Sequence, residues 1–158
     1  MRTSVKKGFS FGLTSSVLTT LGLIIGLYVA THSKTVVIAG IIIISLADAI
    51  SSSFGIRVSE AYEAKHPFWE VWESTISILL SKFVFSISFI IPILFFTLST
   101  SVVISVIWGL LLTCLFSYFM SKKQKRKPAK LIIEHLIVAI IVIIITYYLG
   151  KFVTKFFS

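Results

Sequence analysis

Five long apolar stretches alternate with short polar ones along the chain. Each is close to the ~20 residues that carry an α-helix across a ~30 Å hydrocarbon core. Runs such as Ile41–Ile44 and Ile140–Ile145 lack the inside/outside alternation of barrel strands, and an open sheet cannot face lipid. The pattern therefore predicts an all-α, polytopic membrane protein. Its five transmembrane helices lie at about 9–30, 35–56, 74–98, 101–121 and 129–152. Residues 1–158 form one transmembrane domain. The first stretch is longer than the apolar core of a signal peptide and is read as a retained helix.

The polar stretches predict how the helices join. His32, Ser33 and Lys34 link helices one and two, and the segment from Arg57 to Glu73 links two and three. Ser99, Thr100 and Ser101 link three and four and offer a hydroxyl cap for helix four. The run Lys122, Lys123, Lys125, Arg126, Lys127 and Lys130 links four and five. Pro128 suits the first turn of helix five, where its missing N–H costs nothing. Pro92 falls inside helix three and is expected to kink it.

Composition agrees: 56% of residues are hydrophobic and only 13% charged, more apolar surface than a water-soluble domain of this size can hide. Net charge is +9. In a membrane protein such an excess holds loops in the cytoplasm, so no nucleic-acid partner is expected. With the N-terminus inside, eleven basic residues (Arg2, Lys6, Lys7, Arg57, Lys65 and the six of the last loop) are cytoplasmic. Three, Lys34, Lys151 and Lys155, are outside. The expected orientation is N-terminus in and C-terminus out, in the cell membrane. Trp69 and Trp72 fit an interfacial belt, and the basic loop can touch anionic lipid. Cys114 lies alone in an apolar run and is read as a small apolar residue. No HExxH, GxSxG, P-loop or GxGxxG occurs, and no nucleophile–base grouping indicates an enzyme.

Ionisable residues inside a bilayer are functional candidates by default. Asp48 and Lys82 are two such residues. They sit at similar depths, about 10–14 Å from the cytoplasmic ends of antiparallel helices, and so can pair. The alternative is a snorkelling lysine beside a satisfied structural carboxylate. On helix two, Ser45, Asp48, Ser52, Gly55, Ser59 and Glu63 recur at spacings of three and four. They form a polar line readable as an ion path or as a packing face of small residues. On helix one, Gly8, Gly12, Ser15, Thr19, Gly22 and Gly26 form a heptad stripe along which another helix can approach closely. That helix is either a neighbour or helix one of a second copy, in a homodimer.

Acidic residues cluster as Glu60, Glu63, Glu70 and Glu73, with His66 among them. Carboxylates suit hard divalent cations and His suits transition metals. Glu70 and Glu73 serve equally well to complement the N-terminus of helix three, which Pro67 can open. Glu134 and His135 read as an interfacial pair at the start of helix five.

The stretch Ala47-Asp48-Ala49-Ile50-Ser51-Ser52-Ser53-Phe54-Gly55, continuing to Ser59 and Glu63, resembles the vacuolar iron transporter family. So do Gly8-Phe9-Ser10-Phe11-Gly12-Leu13-Thr14, the terminal Thr146-Tyr147-Tyr148-Leu149-Gly150 and the five-helix count. The resemblance implies a homodimer that exports Fe²⁺ or Mn²⁺ from the cytosol against protons, with helix one at the dimer axis. The divalent metal is substrate, and no permanent cofactor is implied. Asp48 and Glu63 match family positions. With Glu60 and His66 they make the candidate metal ligands, and Asp48, Ser52, Glu63 and Lys82 the candidate path. The chain departs from the family where Phe11 replaces a helix-one Asp and Ser52 a helix-two Met. It also lacks the family's cytoplasmic metal-binding domain. An alternative function is a non-transporting membrane scaffold or partner-binding protein that keeps the fold.

Overall fold

A computed structural model describes residues 3–63, 67–124 and 127–157. Every element in it is an α-helix: α1 Thr3–Thr31, α2 Lys34–Glu63, α3 Phe68–Ser88, α4 Ile90–Phe95, α5 Leu98–Gln124 and α6 Pro128–Phe157. Five spans are long and apolar enough to cross a membrane, α3 and α4 together making the third. The chain is a multi-pass, all-helical membrane protein. The N-terminus of α1, the C-termini of α2 and α5 and the N-termini of α3 and α6 share one end of the bundle, here the basic end.

The helices overrun the apolar windows. α2 continues to Glu63 and α3 begins at Phe68, so most of the expected second link is helical. Hydropathy marks where lipid stops, whereas a helix stops only where its backbone bonding is interrupted. Pro67 supplies that interruption before α3, in extended conformation (φ −63°, ψ 147°), and Glu70 sits in the first turn. At the opposite end His32 takes a left-handed conformation (φ 49°) and donates its N–H to the Tyr28 carbonyl, closing α1. Ser33 then caps α2, its hydroxyl accepting from the Val36 N–H. Before α5 the hydroxyl that starts the helix belongs to Thr97, bonded to the Thr100 hydroxyl, while Ser99–Ser101 lie in the first turn.

Pro92 breaks the third span. Its missing N–H leaves the Ser88 carbonyl without its helical donor. The Phe89 N–H instead bonds the Ser86 carbonyl in a tighter turn, and α4 restarts at Ile90. At the far end of α4, Lys34 donates to the carbonyls of Leu94 and Phe96, quenching the negative helix terminus.

The interior is lined by small and hydroxyl residues as much as by large ones. Ser16, Thr20, Ser45, Ser53, Ser81, Ser86, Ser105, Thr113 and Ser117 are buried, while Ile43, Phe95, Ile107 and Tyr148 face outward. This suits a lipid solvent, where apolar side chains gain nothing by turning inward and close backbone approach drives packing. Most buried hydroxyls bond back to a carbonyl three or four residues earlier, as Ser16 does to Leu13 and Thr113 to Gly109. α1 lies at the centre and touches α2, α3, α5 and α6. Leu13, Val17, Leu21 and Ile24 of α1 meet Val37 and Ile41 of α2 and Phe89 and Ile93 of the third span.

The small-residue stripe of α1 is what permits this central position. A Cβ at Gly8 would stand 2.6 Å from the Ser74 carbonyl oxygen, and one at Gly12 would collide with Ser81, both on α3. Farther along, Gly22 and Gly26 face Val142 and Thr146 of α6. The expected dimer seam is thus corrected at its glycines: α3 and α6 of the same chain occupy it. Ser15 and Thr19 between them are half-buried.

Candidate functional site

The two charges inside the bundle come together. Lys82 of α3 is 1% exposed, and its Nζ lies 2.7 Å from Asp48 Oδ2 on α2. The same ammonium donates to Ser52 Oγ at 2.7 Å, and Ser52 in turn donates to Asp48 Oδ1 at 3.0 Å. Asp48 and Ser52 are four residues apart and so sit one above the other on α2. The three groups form a closed ring in which each carboxylate oxygen accepts one charge-assisted or hydroxyl bond. The Phe11 ring of α1 stands 5.8 Å from Nζ, offering its negative face. Lys82 is sealed on all sides. Asp48 keeps 24% of its side-chain surface and is the more exposed member of the pair.

The polar line on α2 does not stay in the interior. Ser45 is buried, with its hydroxyl on the Ile41 carbonyl, and Ser52 is half-buried, whereas Gly55 and Ser59 are exposed. The buried ridge is Val37, Ile41, Ser45, Ala49 and Ser53, spaced by four. Steps of four overshoot a 3.6-residue turn by about 40° each, so this ridge winds around α2, whereas the polar line averages one turn per step and stays on one side; the two part beyond Ser45. The expected unbroken path through the protein from Ser45 to Glu63 is therefore corrected: it leaves the helix interface near Gly55, around which nothing lies within 4 Å.

The expected metal set divides too. Glu60 accepts a hydrogen bond from Ser74 of α3 at 2.6 Å. It is twelve residues from Asp48 on one helix, about 18 Å along the axis, so the two cannot share an ion. The Glu63 side chain and His66 lie outside the described residues. Among the described residues no three of His, Cys, Asp and Glu stand together as a ligand group.

Several contacts carry no clear signal in the sequence. Arg57 lays its guanidinium 4.1 Å from the centre of the Trp72 ring, tying the end of α2 to the start of α3. His135 turns away from the exposed Glu134 and meets Ser117 of α5, Nδ1 to Oγ 2.9 Å. Ser74 as the partner of Glu60 was foreseeable only from a register between α2 and α3, which hydropathy does not provide. Once the helices are set side by side, however, the Asp48–Lys82 register aligns these contacts as well. Comparison of the chain with protein-family models and with curated protein sequences returns no match.

Proposed function

We propose that this protein is a membrane transporter of divalent transition-metal cations, of the Fe²⁺ or Mn²⁺ type, exporting them from the cytosol in exchange for protons. The observation that carries this reading is the Asp48–Ser52–Lys82 ring. A buried ion pair stabilises a fold no better than apolar residues of the same volume, so its presence inside a membrane span calls for a use. The Asp48 side chain is partly exposed while its counter-charge is sealed, and carboxylate and hydroxyl oxygens are the ligands a hard or borderline cation accepts. The resemblance to the vacuolar iron transporter family points the same way through Asp48. In this reading the basic end faces the cytoplasm of a cell membrane. The homodimer meets on a face other than the glycine seam of α1.

One observation favours a second reading, a non-transporting scaffold with the transporter fold. Lys82 already neutralises Asp48, and among the described residues no group of three His, Cys, Asp or Glu forms around it. Flux into proteoliposomes separates the two. Fe²⁺, Mn²⁺, Co²⁺ and Zn²⁺ are offered to wild type and Asp48→Asn, each shown to be folded by size-exclusion chromatography. The amide keeps an acceptor for Lys82 but loses the charge. Uptake by wild type and its loss in the variant is the expected result. Absence of uptake for every ion from folded wild-type protein would end the transport proposal in favour of the scaffold.

A further inference from the structure

At the end opposite the basic loop, the last turns of α1 and α6 enclose an open cavity of about 590 Å³. Its polar lining is Tyr28, His32, Tyr147, Lys151, Thr154 and Lys155. Lys151 and Lys155 are four residues apart on α6, so two like charges share one helix face and repel. Among the described residues no carboxylate lines the cavity. Glu134 is seventeen residues back along α6, about 25 Å by helix rise, and Asp48 is fourteen residues down α2 from Lys34, about 21 Å.

Lysines near helix C-termini ordinarily bond the last carbonyls, as Lys34 does on α4. At the end of α1 that work is done by other groups. His32 engages the Tyr28 carbonyl through both its backbone N–H and its ring Nδ1. Thr31 takes the Leu27 carbonyl, and the Thr154 hydroxyl lies 3.0–3.4 Å from the carbonyls of Gly150, Val29 and Ala30. The two ammonium groups lie instead beside aromatic rings, Lys151 4.8 Å from the centre of Tyr147 and Lys155 5.8 Å from that of Phe156. The His32 ring packs on Tyr28 at 5.3 Å and brings a third nitrogenous group to the same cavity. Positive charge is thus gathered in a cavity where the last carbonyls of α1 are already satisfied and, among the described residues, no carboxylate lies near. It lies at the ends of two candidate membrane spans, where a bilayer crossed by them would carry its phosphates.

We propose that this cavity binds a phosphate group, held by Lys151 and Lys155 with His32 and the tyrosine hydroxyls around it. The phosphate comes from an anionic phospholipid headgroup or from free inorganic phosphate. The inference does not depend on what, if anything, the protein transports.

The test uses delipidated full-length protein titrated with short-chain phosphatidylglycerol, short-chain phosphatidylcholine or inorganic phosphate. Bound molecules are counted by native mass spectrometry and stabilisation is followed by thermal unfolding. The variants are K151Q/K155Q, the charge-keeping K151R/K155R, and K127Q/K130Q at the basic end. Removing both lysines should weaken phosphatidylglycerol binding about thirtyfold, at roughly fivefold for each charge. K151R/K155R and K127Q/K130Q should retain the site. Stabilisation by inorganic phosphate that is equally lost in K151Q/K155Q would name the free ion as the source, whereas a response to phosphatidylglycerol alone would name the lipid. Undiminished binding of both ligands by folded K151Q/K155Q, or loss confined to K127Q/K130Q, would overturn the proposal. So would K151R/K155R that folds and fails to bind.

Discussion

Lys82 holds an ammonium group in a place where neither water nor a lipid tail can solvate it, and it does so with one carboxylate, one hydroxyl and one ring. Such a group is costly to orphan. Asp48→Leu should destabilise the protein by about 3–5 kcal/mol in a thermal or denaturant series, because it leaves a buried charge unpaired. Exchanging the two residues, Asp48→Lys with Lys82→Asp, should recover most of what either single reversal loses. A double variant no more stable than the singles would show that the pair is not a coupled unit. The closeness of these residues was legible from depth alone: two antiparallel helices that start level bring residues about eight positions in to the same height. The role of Ser52 was not. In the sequence it is one more hydroxyl on a polar line. Only the register between α2 and α3 makes it the bridge between Lys82 and the second carboxylate oxygen.

Element by element, small residues are where the sequence says most about closeness and least about the neighbour. The α1 stripe announced that something approaches along its length. Nothing in the stripe distinguishes a second copy of α1 from α3 below and α6 above, since a glycine specifies space rather than its occupant. Two substitutions separate a packed glycine from an idle one. At Gly12 an added methyl meets the Ile78 carbonyl oxygen at 3.0 Å as well as Ser81. Gly12→Ala should therefore cost about 1–3 kcal/mol through overpacking, despite the better helix propensity of alanine. Around Gly55 nothing lies within 4 Å, so Gly55→Ala should raise stability by about 0.5–1 kcal/mol. Thermal unfolding in one detergent compares them directly, and shifts of the same sign would refute the assignment of Gly12 to the α1–α3 contact. Helix breaks were easier to foresee. Pro92 acts through covalent geometry, which needs no partner, and the span divides three residues before it.

Taken whole, the molecule turns many bulky apolar side chains outward and lines its interior with small hydroxyl residues as much as with large apolar ones. That arrangement made the five spans readable from hydropathy and made the interior hard to read, because large apolar residues lie on the inward and the outward faces alike. Charge gives the whole molecule a direction. With the native cysteine removed, a cysteine at position 127 should react with a membrane-impermeant maleimide only in opened cells, and one at position 155 in intact cells. The reverse pattern would invert the orientation, and labelling of both from one side would be incompatible with the five-span topology.

The central position of α1 has a consequence for biosynthesis. Of the helices described, α1 is made before the others, and every long later one packs against it. Until α3 and α6 have been made, its glycines and buried hydroxyls wait in lipid without the surfaces they are shaped to meet. α2 and α3 follow at once and pack on it and on each other, so a translation intermediate of three helices already has most of the contacts that hold the charged ring. α6 closes over Gly22 and Gly26 only after the other helices have been made. A ribosome stalled before α6 would therefore leave a half-dressed α1 in the bilayer, the kind of exposed seam that insertion chaperones shield and quality-control proteases recognise.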